Sequence, residues 1–208
     1  MAAHSGGERQ VAPDGRQPVV AIFGSSTMKD DEPAYGEVMA LGAELAKAGL
    51  AVMTGGYGGA MAAASRGAHE AGGHVIGVTV DLFERRGPVN PWVRERVHTP
   101  DIYARLKHLV HEADAFVAVS GSIGTLTELF LSWTMLSVSA RPKAPLVLMG
   151  AHWRDWLEAH RSPELVPGHL FGFIEVADTP GDTARAVVDA LARAQVAPAA
   201  GALPGSLQ

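Results

Sequence analysis

The chain has 208 residues, of which 47% are hydrophobic and 19% charged, and it contains no cysteine. This length and composition predict one globular domain, and the lack of thiols excludes disulfides, thiolate metal sites and cysteine nucleophiles. A formal net charge of −5 and the lack of any basic run give no reason to expect nucleic-acid binding.

The two ends of the chain differ in composition from its middle. Residues 1–17 are polar and rich in glycine, and they contain no apolar core of a signal peptide. We expect residues 1–17 to form a disordered leader, residues 18–195 a single domain, and residues 196–208, rich in Ala, Pro and Gly, a flexible tail. No apolar stretch is long enough to span a bilayer, so we expect a cytoplasmic protein that does not bind membranes.

Short apolar runs alternate with helical patterns along the chain. Strands are predicted at residues 19–23, 50–53, 75–80, 96–98, 115–119, 145–149 and 173–176. Helices are predicted at residues 31–48, 60–71, 101–113, 126–138, 153–160 and 183–194. Residues 81–91 form a charged segment with two prolines, long enough to be a lid or a specificity loop. This alternation predicts an α/β domain whose parallel sheet is covered by helices on both faces.

Small residues follow three of the predicted strands. Because ligands of parallel sheets bind at the carboxyl ends of the strands, these turns are expected to meet at one site. Turns of this kind expose backbone N–H groups, and a helix N-terminus attracts anions, so we predict binding of phosphate or ribose. The first turn lacks the G-x-G-x-x-G pattern of dinucleotide-binding proteins. The predicted ligand-binding residues are Gly24, Ser25, Ser26, Gly55, Gly56, Tyr57, Gly58, Gly59, Met61, Gly121, Ser122, Ile123, Gly124 and Thr125.

Two charged residues flank the third turn, and each has a functional and a structural interpretation. Thr125 and Glu128 have the S/T-x-x-E spacing of a capping box, which the residues alone favour slightly over a catalytic carboxylate. Arg105 could be a solvated helix charge, or it could bind phosphate or hold a carboxylate ionised. It precedes Glu128 by 23 residues, one helix-turn-strand-turn step, which returns the chain to the same edge of the sheet.

The third turn also carries a resemblance to a known family. Residues 120–128 resemble the P-G-G-x-G-T-x-x-E motif of the LOG family, with matches at Gly121, Gly124, Thr125 and Glu128. Ser120 stands in place of the usual Pro. Ser122 stands in place of the second Gly. Residues 54–61 resemble the family's G-G-G-x-x-G-L-M loop, residues 103–107 resemble its E-R-K helix, and the resemblance extends from about residue 19 to residue 150.

The resemblance implies a three-layer Rossmann-like fold and a specific reaction. LOG proteins are nucleoside 5'-monophosphate phosphoribohydrolases, and their best-known members activate cytokinins. The resemblance therefore implies hydrolysis of an N-glycosidic bond to give free base and ribose 5-phosphate, with Glu128 as the catalytic carboxylate and Arg105 as a functional arginine. It implies no metal and no redox cofactor. His108 and His111 share a helix face, but no third ligand is evident, and we interpret them as exposed.

Two further expectations concern partners. Family members are commonly homodimers, and the predicted helix at 126–138 is apolar on nearly all sides, so we expect a homodimer with this helix near the contact. The apolar residues are Phe130, Leu131, Trp133, Met135, Leu136 and Val138.

The alternative function is non-catalytic binding of a nucleotide or a phosphorylated cofactor, as in molybdenum-cofactor carrier proteins of related fold, and the Ser120 and Ser122 departures leave that alternative open.

Overall fold

The computed structural model describes residues 15–196 except residues 86, 163 and 165. Its centre is a seven-stranded sheet in which each neighbouring pair of strands is parallel. The strands are β1 (Val19–Phe23), β2 (Ala51–Thr54), β3 (Val75–Val80), β4 (Glu95–Thr99), β5 (Ala115–Ala118), β6 (Leu146–Met149) and β7 (Ile174–Ala177). Their order across the sheet is β4-β3-β2-β1-β5-β6-β7.

Helices connect the strands. They are α1 (Pro33–Lys47), α2 (Ala60–Glu70), α3 (Asp81–Glu84), α4 (Ile102–His111), α5 (Ile123–Ser137), α6 (His152–His160) and α7 (Pro180–Val196), with a 3-10 helix at Gly168–Phe173. In the described part of the chain, no helix combines the length and apolar character needed to cross a membrane.

Alternating side chains of β1 divide the interior into two cores. Val20 and Ile22 pack with the apolar side chains of α1, α2 and α7 on one face of the sheet. Ala21 and Phe23 point to the other face and pack with those of α4, α5 and α6. All of β1 is buried, which explains its continuous apolar run. The predicted three-layer Rossmann-like α/β fold is therefore confirmed.

The boundaries differ from the predictions at a few places. Helix α5 begins at Ile123 rather than at residue 126, because the small residues that were assigned to the turn continue as the first helical turn. The segment predicted as a loop at residues 81–91 opens with α3, and the 3-10 helix was not predicted at all. Both are short elements, for which a helical period in the sequence has no room to repeat.

The described residues before β1 contact the domain. Arg16, which belongs to the predicted leader, donates two hydrogen bonds to the Asp114 carboxylate at 2.7 and 2.8 Å. Gln17 donates from Nε2 to the Gly49 carbonyl at 2.9 Å. Residues 1–14 of the predicted leader and residues 197–208 of the predicted tail lie outside the described residues.

Helices α1 and α2 pack backbone against backbone because glycines lie at their contact. A Cβ added to Gly67 would lie 1.8 Å from the Met39 carbonyl oxygen, and one added to Gly42 would lie 2.2 Å from the Ala64 carbonyl oxygen. Real Cβ atoms do not approach that closely, so any side chain at either position forces the helices apart. This packing holds α2, and with it the glycine-rich turn before α2, close to α1.

We predict opposite effects for alanine at two glycines of this helix pair. Gly67→Ala should lower the free energy of unfolding by about 2 kcal/mol or more, because the helices must separate. Gly36→Ala, on an exposed position of α1 with nothing within 4 Å of the new Cβ, should raise it by about 0.5 kcal/mol. Denaturant titration measures both changes. Equal effects of the two substitutions would contradict the close helix contact.

Candidate functional site

A pocket lies where the chain changes direction across the sheet. Strands β1 and β5 are neighbours, but the chain continues from β1 to β2 on one side and from β5 to β6 on the other. The loops that follow β1 and β5 therefore diverge and leave a crevice, which is the usual ligand site of open α/β sheets. Here the crevice is a pocket of about 680 Å³.

Most of the residues predicted from the sequence line this pocket. The structure brings Arg105 and Glu128 together with residues of all three small-residue turns. Those that line it are Gly24, Ser26, Tyr57, Gly58, Met61, Arg105, Ser122, Ile123, Gly124, Thr125 and Glu128. The other predicted residues, Ser25, Gly55, Gly56, Gly59 and Gly121, are not among the lining residues.

Three of the residues behind the wall shape the loops instead. A Cβ on Gly59, whose φ is +66°, would lie 2.2 Å from the Ser25 carbonyl oxygen, so the first two turns pack directly on each other. A Cβ on Gly55 would lie 2.0 Å from Nη2 of Arg105, so this glycine makes room for the guanidinium. A Cβ on Gly121 would lie 2.0 Å from Oγ1 of Thr125. Gly55 and Gly121 therefore make room for functional side chains, and Gly59 makes room for the backbone of the first turn.

Arg105 and Glu128 form a buried ion pair in the pocket wall. Nη1 of Arg105 donates to Oε1 of Glu128 at 3.1 Å, and the two side chains are only 5% and 13% exposed. Nε of Arg105 donates to the Val78 carbonyl at 2.9 Å, which fixes the plane of the guanidinium. The helix-turn-strand-turn spacing had placed these residues at one edge of the sheet, and the structure brings them into contact.

The pKa of Glu128 reflects two opposing effects. Burial raises the pKa of the Glu128 carboxyl, while the positive charge of Arg105 and its hydrogen bond act to lower it. Burial is the larger effect, so the carboxyl ionises less readily than an exposed glutamate. A carboxylate held in this way is poorly solvated and interacts strongly with any positive charge that develops beside it.

The capping-box interpretation of Thr125 and Glu128 is wrong. Ser122 is the N-cap residue of α5, with extended backbone angles φ −105° and ψ −160°, and Ile123 is the first helical residue. Thr125 is therefore inside the first turn, and Glu128 lies in the second turn, beyond reach of the helix start. The carboxylate of Glu128 contacts Arg105 instead.

The first turn of α5 has the features of an anion site. Its residues Ser122, Ile123, Gly124 and Thr125 line the pocket, and the first N–H groups of a helix have no partner within the helix. The hydroxyl of Thr125, a residue only 3% exposed, has no hydrogen-bond partner among the residues that the structure describes. A buried hydroxyl without a partner is rare and costly, and at the start of a helix it is a candidate donor to a bound anion.

The turn after β1 is braced rather than open. Ser25 donates from its backbone N to the Ser120 carbonyl at 3.0 Å, and its hydroxyl lies 3.0 Å from that of Thr27. Ser26 is left to line the pocket. Of these two predicted ligand-binding serines, Ser25 therefore ties the first and third turns together, and Ser26 lines the pocket.

Sequence reasoning missed part of the wall. Ile102 and Leu106 share the face of α4 that carries Arg105, and the i, i+3, i+4 spacing could have identified them. Phe83 and Pro88 come from the segment predicted as a lid or a specificity loop, but no pattern singled out either residue. The lining residues that were not predicted are Thr27, Phe83, Gly87, Pro88, Ile102, Leu106 and Thr127.

Comparisons with known proteins agree with the motifs. A family model described as the SLOG cluster4 family matches residues 17–139. An uncharacterized protein of Archaeoglobus fulgidus is 31% identical over 120 residues, which are 58% of this chain and 78% of that protein. The cytokinin riboside 5'-monophosphate phosphoribohydrolase LOG7 of Arabidopsis thaliana is 32% identical over 128 residues, which are 59% of this chain and 58% of LOG7. The chain thus spans less than two thirds of the plant protein, and the resemblance to LOG proteins is confirmed.

Solved structures add a second class of relative. The molybdenum cofactor carrier protein MCP of Chlamydomonas reinhardtii superposes with a TM-score of 0.64 at 27% identity, over 85% of this chain and 99% of that one. The molybdenum cofactor binding protein of Rippkaea orientalis superposes with a TM-score of 0.63 at 23% identity, over 80% of this chain and 93% of that one, and it is similar in fold.

The unpartnered hydroxyl of Thr125 leads to a prediction about two substitutions on α5. Thr125→Val should raise the free energy of unfolding by about 1 kcal/mol, because it removes a buried hydroxyl that has no partner. The same substitution should weaken binding of inorganic phosphate by about tenfold or more, since a hydrogen bond to an anion is lost. Thr134→Val, at an exposed position of the same helix, should change neither by a comparable amount. Thermal unfolding with and without phosphate measures both, and a Thr125 variant that is less stable but binds normally would contradict the anion site.

Proposed function

The chain belongs to the SLOG cluster4 family, and we propose that it hydrolyses the N-glycosidic bond of a nucleoside 5'-monophosphate to free base and ribose 5-phosphate. The relatives named as phosphoribohydrolases support this reaction class. The observation that carries the proposal is the buried Arg105–Glu128 pair, which faces the same pocket as the unpartnered Thr125 hydroxyl at the start of α5.

The proposed reaction places each of these groups in a role. When the bond between C1' and the base nitrogen breaks, its electron pair leaves with the base, and positive charge develops on the ribose. Glu128 stabilises that charge, and Arg105 holds the carboxylate in place and ionised. Water then bonds to C1' through its oxygen, and its released proton balances the one that the base takes up. The first turn of α5, with Thr125, binds the 5'-phosphate. Neither an electron acceptor nor a metal ion is needed for this sequence of steps.

A second candidate function is a carrier of a nucleotide or of a phosphorylated cofactor. The specific observations that favour it are the structural likeness to the carrier protein MCP and the departures from the LOG motif at Ser120 and Ser122. A carrier needs the anion site but not a buried carboxylate beside it, since that carboxylate repels an anionic ligand and is costly to bury. The retained Arg105–Glu128 pair therefore favours the hydrolase.

The decisive experiment is to incubate the purified protein with AMP, CMP, GMP, UMP and a modified AMP and to measure free base. We expect release from at least one monophosphate and much slower release from adenosine than from AMP, because two of the pocket's turns are suited to an anion. Glu128→Gln should lower turnover by a factor of roughly 100 or more while AMP still binds. Glu112→Gln, an exposed residue at the end of α4, is the matched control and should leave turnover unchanged.

The outcomes separate the two candidate functions. Wild-type turnover in the Glu128→Gln variant would remove the catalytic assignment. Tight binding of AMP with no release of base from any monophosphate would favour the carrier, and equal activity on adenosine and AMP would contradict the phosphate site.

The proposed homodimer has a more limited surface than the sequence indicated. Trp133 and Leu136 of α5 are buried within one chain, and the indole N–H of Trp133 donates to the Leu170 carbonyl at 2.9 Å. The 3-10 helix thus covers part of the apolar surface that had been assigned to a partner. Phe130 and Val138 remain 38% and 63% exposed and are available for a contact.

We predict a dimer in solution with α5 at or near the contact. Sedimentation at micromolar concentration should show a species of twice the 21.8 kDa chain mass. Well-packed apolar interfaces have dissociation constants below micromolar, so the dimer should persist at this concentration. Phe130→Ser should shift the equilibrium toward the monomer. A wild-type protein that sediments only as a single chain under these conditions would rule the dimer out.

A further inference from the structure

The outward side of α3 is fastened to the edge strand β4 by charged groups. The Glu84 carboxylate pairs with Nη2 of Arg96, and Asp81 lies 3.3 Å from Nε2 of His98. Nε of Arg96 also donates to the Thr79 hydroxyl at 3.0 Å. These exposed carboxylates and the imidazole are grouped closely enough for a metal ion, but their pairing with β4 already accounts for the cluster.

The chain on either side of α3 is held by the glycine-rich turn of the pocket. The Tyr57 hydroxyl donates to the Val80 carbonyl at 2.7 Å and accepts from the Val80 N–H at 2.9 Å. Further along, Asn90 donates from Nδ2 to the Tyr57 carbonyl at 3.0 Å and from its backbone N to the Gly56 carbonyl at 2.8 Å. The position of α3 is therefore set by β4 on one side and by a wall of the pocket on the other.

The inward side of α3 presents Phe83 to the ion pair. The centroid of the Phe83 ring lies 5.3 Å from Cζ of Arg105 and 6.1 Å from the Tyr57 ring, which it meets edge to face. Phe83 also lines the pocket. A guanidinium over an aromatic face is attracted to it, and more strongly where water is excluded, as it is around this nearly buried arginine.

We infer that Phe83 is a positioning residue for the catalytic pair: its ring covers the guanidinium of Arg105 and keeps water away from the contact between Arg105 and Glu128. The inference rests on the proposed function for its effect on turnover, but the contact itself exists in the protein without substrate. Arg105 is the charged group that acts to lower the pKa of Glu128. The carboxylates of α3 pair with side chains of β4 instead.

The direction of the effect follows from what raises the Glu128 pKa. Burial is the largest cause of that rise. Replacing Phe83 with a smaller side chain admits water to the pair, relieves the burial and lowers the pKa of Glu128 toward its ordinary value. Leu82, the neighbour of Phe83 on α3, is 60% exposed, so truncating its side chain should not admit water to Arg105 and Glu128.

The test measures the Glu128 pKa directly and does not require catalysis. Carbon-13 NMR follows the side-chain carboxyls of the glutamate-labelled protein through a pH titration, and the Glu128 signal is assigned by its loss in Glu128→Gln. We expect a lower Glu128 pKa in Phe83→Ala than in the wild type and an unchanged pKa in Leu82→Ala. Phe83→Leu, which keeps apolar volume, should shift the pKa in the same direction by less, and it replaces the alanine variant if that variant fails to fold.

Kinetics with AMP provide the second readout. In Phe83→Ala, kcat should fall roughly tenfold with a small change in KM, and the acid limb of the kcat profile should move to lower pH. Phe83→Tyr, which keeps the aromatic face, should restore kcat to near the wild-type value.

The outcomes distinguish this inference from the proposed function. A Glu128 pKa that is unchanged or raised in Phe83→Ala, or an equal shift in Leu82→Ala, would overturn the role of Phe83. A lowered pKa in a protein that releases no base from any monophosphate would support the shielding by Phe83 and would contradict the hydrolase.

Discussion

One buried ion pair constrains the arrangement around the pocket. Arg105 and Glu128 come from different helices, and removing both charges from water costs free energy that close pairing and further hydrogen bonds must offset. The fold supplies these compensations from separate elements: the Val78 carbonyl accepts from Nε, Gly55 leaves room for Nη2, and the Phe83 ring covers the guanidinium. The glycine comes from the turn after β2, whereas Val78 lies in β3 and Phe83 lies in the short helix that directly follows β3, so two successive segments of the chain serve the same side chain.

Helix α5 links that ion pair to the anion site. Thr125 and Glu128 are three residues apart, so they lie on neighbouring positions of the helix surface, with a rise of about 4.5 Å between them along the axis. The positive end of the helix dipole favours negative charge at the first turn, where Thr125 lies. A ligand held by its phosphate at the start of α5 is therefore placed beside the carboxylate one turn further on. The proposed function therefore requires a ligand whose phosphate end and reacting end are close, as they are in a 5'-phosphorylated ribose.

The sequence predicted the parts of this arrangement that depend on regular patterns. Buried strands appear as continuous apolar runs, so the parallel sheet and its ligand edge were predictable, and the 23-residue spacing predicted Arg105 and Glu128 at the same edge of the sheet. The start of α5 was not predictable, because Gly121 and Ser122 suit a turn and a helix start equally well. Phe83 was missed because α3 is too short for a periodic pattern. Gly55 was assigned to phosphate binding because a small residue near a site indicates that another group approaches the backbone closely. The sequence does not show whether that group is a ligand or, as here, a protein side chain.

The departures from the LOG motif fall where the backbone tolerates a side chain. Ser122 has a negative φ that any residue can adopt, and its side chain is exposed toward the pocket. At Gly121, by contrast, a Cβ would displace the Thr125 hydroxyl, whereas at Gly124 a Cβ meets no protein atom within 4 Å. Of the two retained glycines, Gly121 is thus the one that the packing around Thr125 requires to be small. The hydroxyl of Ser120 lies 3.2 Å from Nε2 of His152, outside the pocket lining, whereas that of Ser122 is part of the lining. Of the two departures, Ser122 is therefore the one that adds a polar residue to the pocket wall.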